Sequence, residues 1–327
     1  MINRISTIFE CSRIFSLPMT VMSWLVVFVW AYICSGNILY GIAALIAISF
    51  VHLGTNILDD YFDYKSLIKQ KDFNSTEYLK NAQKTKCRYL ITGSMSEFEA
   101  LLLAGVYFTI AFVLGLLFYL KCGMGVIYFG FVGAVIALSY SFLSRIRLSE
   151  AAVAIAYGPA LFGGVYYVMT KTYSWEVIVL SIPTMIMTVV LLYIHTVMDF
   201  EHDIKEGHHT IANLFNSQLD SLIVLKFLLV SAYISPILLC IFDIADWQIF
   251  LVYLTIPLAL DLYKSMVDYS TDPESVPEHK WYHFPMENLK KLEKYNASAF
   301  MIRMYQSRNL MAYFALLLSI AIVLSVI

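Results

Sequence analysis

Apolar residues along the 327-residue chain come in long unbroken runs, not in alternation. The runs fall at about 17–35, 38–58, 97–120, 124–143, 150–170, 175–198, 219–242, 246–266 and 308–327. Each is close to the roughly 20 residues that a helix needs to cross a bilayer. Hydrocarbon offers no water to backbone N–H and C=O groups, so only helices and closed barrels span it. Barrel strands would be segments of about ten residues with alternating polarity. The pattern therefore predicts an all-α polytopic membrane protein of about nine transmembrane helices, one domain over 1–327 with the lipid bilayer around it.

Two polar stretches, about 59–96 and 267–307, interrupt the runs. The second holds Pro273, Pro277 and Pro285, then helical periodicity from Met286 to Tyr305. There Leu289, Leu292, Phe300 and Met301 mix with Lys290, Lys291, Lys294 and Arg303. That mixture predicts an amphipathic helix lying on the membrane surface.

Composition agrees with the runs. Hydrophobic residues make up 60% of the chain and charged residues only 14%, against about 25% charged in soluble domains. Net charge is −2; there is no basic tail, and no nucleic-acid partner is expected. Cys11, Cys34, Cys87, Cys122 and Cys240 are odd in number and lack C-x-x-C spacing, so they read as free thiols. The first apolar run reads as a true span, not a cleaved leader.

The basic residues add an orientation. Nine crossings place 20 of the 22 Lys+Arg on the side of the N-terminus and leave only Lys121 and Lys171 on the other. The positive-inside rule makes the richer side cytoplasmic.

The candidate chemistry lies at two helix ends on that same side. Asn56-Ile57-Leu58-Asp59-Asp60-Tyr61-Phe62-Asp63 closes the second span, and Asp199-Phe200-Glu201-His202-Asp203 closes the sixth. Residues three, four and seven apart share a helix face, so Asn56, Asp59 (or Asp60) and Asp63 form a column; helical phase favours Asp59, four before Asp63. Asp199 and Asp203 are likewise one turn apart. Acidic residues at helix ends are often merely solvated, but carboxylate columns in an apolar scaffold repel unless a cation lies between them. Mg²⁺ prefers oxygen ligands and shares them with phosphates. Basic residues flank both clusters: Arg88 before the third span, Arg145 and Arg147 after Tyr140-Ser141, and Lys205 past the second Asp pair. Positive-inside bias alone would also put them there. His195 and Asp199 share a face that a transition metal could use, though the helical H-E-x-x-H pattern is absent.

These residues resemble the UbiA superfamily of intramembrane aromatic prenyltransferases. Asn56, Asp59 and Asp63 are similar to its first motif, and Asp199-x-x-x-Asp203 to its second. Arg13-Ile14-Phe15-Ser16-Leu17-Pro18 resembles the entry to its first helix. Arg88 through Gly93 with Ser94-Met95-Ser96 resembles the run before its third. Asp199 to Ala212, with Gly207 and Thr210, resembles the pattern around its second motif, and Tyr157-Gly158-Pro159 with Tyr166-Tyr167 is most similar to the menaquinone-pathway branch. That branch commonly carries Asn-Asn-x-Arg where this chain reads His195-Thr196-Val197-Met198.

The resemblance implies Mg²⁺-dependent transfer of a polyprenyl group from a prenyl diphosphate to an aromatic acceptor, a 1,4-dihydroxy-2-naphthoate-like ring. It implies Asn56, Asp59, Asp63, Asp199 and Asp203 as metal ligands, with the four Asp also catalytic. Arg88, Arg145 and Lys205 would face the diphosphate, Tyr140, Ser141 and Tyr157 would complete the substrate site, and Tyr140, Tyr157 and Tyr166 would wall the allylic cation. Other readings of the residues are a UbiA-type terpene cyclase, a CDP-alcohol phosphotransferase (whose D-G-x-x-A-R run is missing) and an ion-coupled transporter, which would favour charges nearer midplane.

Overall fold

The computed structural model describes residues 2–70, 73–75, 87–206, 209–286, 289–294 and 297–326. Lys71, Lys80, Lys84 and Lys86 of the charge map lie outside them. Among the described residues, nine helical segments are long and apolar enough to cross a membrane. The chain is an integral membrane protein.

A short helix α1 (Ile2–Cys11) precedes α2 (Leu17–Ile33) and α3 (Ile38–Leu67). Then come α4 (Arg88–Ile91), α5 (Glu97–Cys122), α6 (Gly125–Leu143), α7 (Ser149–Ile155) and α8 (Leu161–Thr170). The second half holds α9 (Trp175–Met198), α10 (Phe200–Glu206), α11 (Gln218–Ile241), α12 (Ile256–Thr271), α13 (Leu289–Lys294) and α14 (Ser298–Leu324). Helix starts carry side-chain caps where the sequence offers them. Ser96 and Glu99 form a reciprocal capping box on α5, and Ser174 Oγ accepts the Val177 N–H on α9. A 3-10 stretch, Trp247–Thr255, leads into α12 and completes the eighth span.

The fifth span is broken. Between α7 and α8, Ala156–Ala160 forms a π-turn in which Gly158 leaves helical geometry at φ −94° and ψ −106°. Pro159 lacks the N–H that would continue the ladder, so the axis is re-aimed there.

Burial sorts the helices into centre and rim. The fifth and sixth spans are each 61% buried, whereas the windows in α5 and α6 are 11% buried. Phe98, Phe112, Leu120, Phe131 and Phe142 face outward from α5 and α6, as lipid contact requires. Closest approaches use glycine: a Cβ at Gly163 would lie 2.3 Å from the Phe129 ring.

Two expectations need correction. The second span does not end near residue 58: α3 runs on to Leu67, so Asp59, Asp60 and Asp63 sit within the helix body. The stretch expected as a surface helix from Met286 to Tyr305 is divided, and 287–288 and 295–296 lie outside the described residues. Its later part, from Ser298, is the start of the last span, which begins ten residues earlier than the expected 308. There Phe300, Arg303 and Gln306 are buried. Arg303 Nε donates to the Ser265 carbonyl at 2.8 Å, Nη1 donates to those of Ser275 and Ala299, and Nη2 to Ser275 Oγ. Its guanidinium also lies 4.8 Å from the Tyr269 ring centre. Apart from Ala299 in its own helix, those partners come from α12 and the segment after it, so the sequence pattern of α14 alone reads Arg303 as solvated.

Candidate active site

The first carboxylate group is built where α3 meets the linker before α2. Asp59 and Asp60 are 4% and 2% exposed. Arg13, in left-handed backbone geometry ahead of the turn Ile14–Ser16, reaches back to them. Its Nη2 donates directly to Asp60 Oδ1 and stands 3.9 Å from Asp59 Oδ2. Burial opposes the Arg13 charge, but the Asp60 and Asp59 carboxylates outweigh it and hold the guanidinium above its ordinary pKa. Ser141 Oγ on α6 donates to Asp59 Oδ1 at 3.1 Å.

Asn56 lies one turn deeper. Its Nδ2 donates to the Ser12 carbonyl and to Ser16 Oγ, both at 3.2 Å. Both amide N–H groups are thus used, which orients Oδ1 away from them. Asp63 lies one turn nearer the polar end, where Arg145 Nη2 stands 3.5 Å from its Oδ1 and donates to the Phe62 carbonyl at 3.1 Å.

The second carboxylate group spans a helix break. Asp199 caps α9, and its Oδ2 is 3.1 Å from His195 Nδ1. The Asp203 N–H donates to the Asp199 carbonyl at 2.8 Å, so the helix resumes at once. His195 meets Phe300 of α14 edge-on, centroids 5.6 Å apart. The Tyr269 hydroxyl donates to the Met198 carbonyl at 3.4 Å. The last spans therefore brace this end of α9.

One short loop connects the two groups. Arg145 touches Asp63, while the next residues pair with the chain just past Asp203: Ile146 and His209 form a parallel bridge, and the Arg147 N–H donates to the His209 carbonyl at 3.1 Å. The loop after α6 is a strap between the motifs.

Other expected residues are placed as follows. Arg88 is half-buried at the start of α4, beside Cys87, whose Sγ donates to the Asp60 carbonyl at 3.1 Å. Tyr140 is half-buried next to Ser141. Tyr157 lies in the π-turn and hydrogen-bonds His52 and Thr20. Lys205 belongs to α10, but its side chain, like that of His202 and like Gly207 and His208, lies outside the described residues.

The donor chemistry suits an oxygen-loving cation. Carboxylates line both helix ends, with the Asn56 amide oxygen at the first, and Mg²⁺ needs only one or two carboxylates when phosphates and waters supply the rest. Among the described residues no three His, Cys, Asp or Glu side chains gather around a single point, so no all-protein cage is present.

The sequence profile of the UbiA prenyltransferase family matches residues 16–284. The chain belongs to this family. Its structure agrees with solved UbiA folds. A digeranylgeranylglyceryl phosphate synthase superposes with a TM-score of 0.55 at 15% identity, covering 98% of this chain and 99% of that one. A UbiA homologue from Archaeoglobus fulgidus, bound to DMAPP and Mg²⁺, superposes with a TM-score of 0.55 at 13% identity over 91% and 97% of the two chains. In sequence, a 2-carboxy-1,4-naphthoquinone phytyltransferase of Synechocystis is 26% identical over 156 residues. That match covers 46% of this chain and 50% of the relative, so the chain spans about half the length of the curated protein it matches.

Several residues around these carboxylates carry no clear mark in the sequence. Helical phase favours Asp59 over Asp60, yet both are buried and both face Arg13. Arg13 stands in the sequence as one of the N-terminal cations and in the entry pattern to the first helix, neither of which pairs it with Asp60. Tyr89 is 2% exposed, and burial, then the Asp60 charge, push its hydroxyl well above the ordinary tyrosine range. His52 had a usable signal: it precedes Asn56 by four and so shares the face of the motif.

Proposed function

We propose that this UbiA-family enzyme transfers a polyprenyl group from a prenyl diphosphate to a 1,4-dihydroxy-2-naphthoate-like aromatic acceptor, a step of menaquinone formation, with Mg²⁺ as its cofactor. The observation that carries the reading is the pair of carboxylate-bearing helix ends strapped together by the Arg145–Arg147 loop. The naphthoquinone phytyltransferase relative supports the choice of ring, and the DMAPP and Mg²⁺ of the Archaeoglobus homologue support the donor and the ion.

In this reading Asn56, Asp59, Asp63, Asp199 and Asp203 would hold the ion, while Asp60 holds Arg13 beside them. The bound ion supplies charge neutralisation for the diphosphate, which makes it a better leaving group. Arg88, Arg145 and Lys205 face the same phosphates and stabilise the negative charge that grows on the leaving oxygen. Tyr140, Ser141 and Tyr157 line the acceptor's approach, and the apolar bundle keeps water from the allylic carbon. The positive-inside asymmetry supports a cytoplasmic N-terminus and a cytoplasmic mouth of the site.

The test is a product assay on protein in nanodiscs with Mg²⁺, farnesyl or geranylgeranyl diphosphate and 1,4-dihydroxy-2-naphthoate, read by mass spectrometry. A prenylated naphthoquinol that disappears with chelator and in Asp63→Ala is expected. Diphosphate release with no ring product would refute the acceptor and favour a cyclase. No diphosphate release with any donor would refute the prenyl-transfer reading as a whole.

A further inference from the structure

A polar cluster lies deeper in the bundle than the carboxylates; of its members only Tyr157, on the acceptor's approach, has a part in the reading above. His52 on α3 stands eight residues before Asp60, about 12 Å along the axis at a rise of about 1.5 Å per residue. Its Nε2 is 2.6 Å from Ser16 Oγ, and its Nδ1 is 2.9 Å from Thr20 Oγ1 and in contact with the Tyr157 hydroxyl. Thr20 Oγ1 and the Tyr157 hydroxyl are 3.1 Å apart. Three elements therefore converge: the start of α2, the middle of α3 and the π-turn. Thr20 is wholly buried, whereas His52 and Tyr157 keep part of their surface accessible.

The hydrogen bonds determine the tautomer. Ser16 O–H donates to the Arg13 carbonyl at 2.7 Å, so Ser16 Oγ can only accept from its other partners. His52 Nε2 therefore carries the proton and donates to Ser16. Nδ1 is left as the acceptor; the Tyr157 and Thr20 hydroxyls both reach it, and the nearer, Tyr157 at 2.5 Å against 2.9 Å for Thr20, is assigned as its donor. Thr20 O–H then donates to the Tyr157 oxygen. That oxygen keeps a lone pair and is backed by an imidazole able to take its proton.

The depth suits the acceptor. With the diphosphate at the carboxylates, the prenyl carbon bonded to it lies further into the bundle. The attacking ring approaches that carbon from the side away from the leaving oxygen. Resting on the prenyl-transfer reading, we propose that Tyr157 and His52 form the proton relay that binds and activates the hydroxyl of the aromatic acceptor. The acceptor hydroxyl donates to Tyr157 Oη. As its proton moves to that oxygen, the Tyr157 proton moves to His52 Nδ1, leaving an imidazolium and an aryloxide. The ring carbon beside the aryloxide forms a bond to the prenyl carbon, and the prenyl C–O bond breaks with its electron pair leaving on diphosphate. The ring regains aromaticity when that carbon loses its proton to the departed diphosphate, or its carboxylate as carbon dioxide. The C–H or C–C electron pair returns to the ring, and the oxygen takes its proton back from His52 through Tyr157. Tyr157 is the catalytic residue here because it touches the substrate; His52 acts through it.

The test compares wild type with Tyr157→Phe, His52→Gln and His52→Ala in nanodiscs. Product formation is measured against acceptor concentration, and Mg²⁺-dependent binding of radiolabelled prenyl diphosphate is measured separately. A general acid–base contribution predicts a fall in kcat of about 100-fold or more in Tyr157→Phe and His52→Gln, with donor affinity within twofold of wild type. It also predicts that fluorinated acceptors, whose hydroxyls ionise more readily, recover at least tenfold of the loss, a rescue that a packing defect would not show. Variants within threefold of wild-type kcat would overturn the relay. So would parallel loss of donor binding in the conservative pair, or an equal loss with fluorinated and parent acceptors. A wild-type protein that prenylates no hydroxylated ring would instead overturn the functional reading itself.

Discussion

Replacing Arg13 by methionine removes the cation that faces two buried carboxylates while keeping side-chain length and apolar contact. Asp59 and Asp60 are 4% and 2% exposed, and the more distant of the two contacts is 3.9 Å. At 3.9 Å, Coulomb's law with an effective dielectric of about 20 gives about 4 kcal/mol for the Asp59 term alone. The desolvation already invested in the carboxylates is not returned when the arginine is lost, which is why breaking a buried pair costs about 3–5 kcal/mol. At about 2 °C per kcal/mol, the low end for large chains, the melting temperature falls by roughly 6–10 °C. The assay is thermal unfolding of purified protein in one detergent, with chelator present so that no divalent ion substitutes for the guanidinium. The double variant Arg13→Met/Asp60→Asn should regain part of the loss, because an amide in place of the carboxylate removes one of the two stranded charges. A single variant that melts within 2 °C of wild type, or a double variant with no recovery, would refute the claim that this pair organises the entrance of α2 against α3.

Arg145→Gln deletes the charged bonds to Asp63 and the Phe62 carbonyl; at about 1.5–3 kcal/mol for hydrogen bonds to charged groups, kcat/KM should fall roughly 10- to 150-fold, and an unchanged value in the product assay would count against the strap. Cys34 is exposed between α2 and α3, at the end of the bundle away from the carboxylates, whereas Cys11 is buried and its thiol is pushed up to about 11 by burial first and also by Asp60. A membrane-impermeant maleimide should therefore label Cys34 from the outside of right-side-out vesicles and leave Cys11 unlabelled at neutral pH; labelling of Cys34 only in inverted vesicles would reverse the orientation. His283 is 1% exposed, and burial lowers its pKa despite the opposing bond to Asp261. Its contribution is present above the ordinary histidine value of about 6.5 and is lost as pH falls from there toward the lowered value, because the unfolded chain binds the proton first; the melting temperature should drop on acidification, and His283→Gln should flatten that profile.

The location of the spans was legible because lipid imposes a length and a polarity on every crossing, and both are local properties of the chain. Runs at 97–120, 124–143 and 175–198 became α5, α6 and α9 with ends within two residues. The strap was not legible: Arg145 and Asp63 are 82 residues apart, and the bridge from Ile146 to His209 depends on how α6 leans on α3. Helical phase could not choose between Asp59 and Asp60, because the choice depends on which neighbours enclose α3, and Arg13 and Ser141 approach it from separate elements. The same limit hid the start of α14, whose Arg303 is basic in the sequence yet satisfied by carbonyls of distant residues. By itself the sequence determined the membrane class, the crossings and the motif residues, since hydropathy and motif spacing are written along one dimension. Which charges meet, which histidine nitrogen carries the proton and which helix braces which depend on side-chain contacts across helices, and only the tertiary packing decided them.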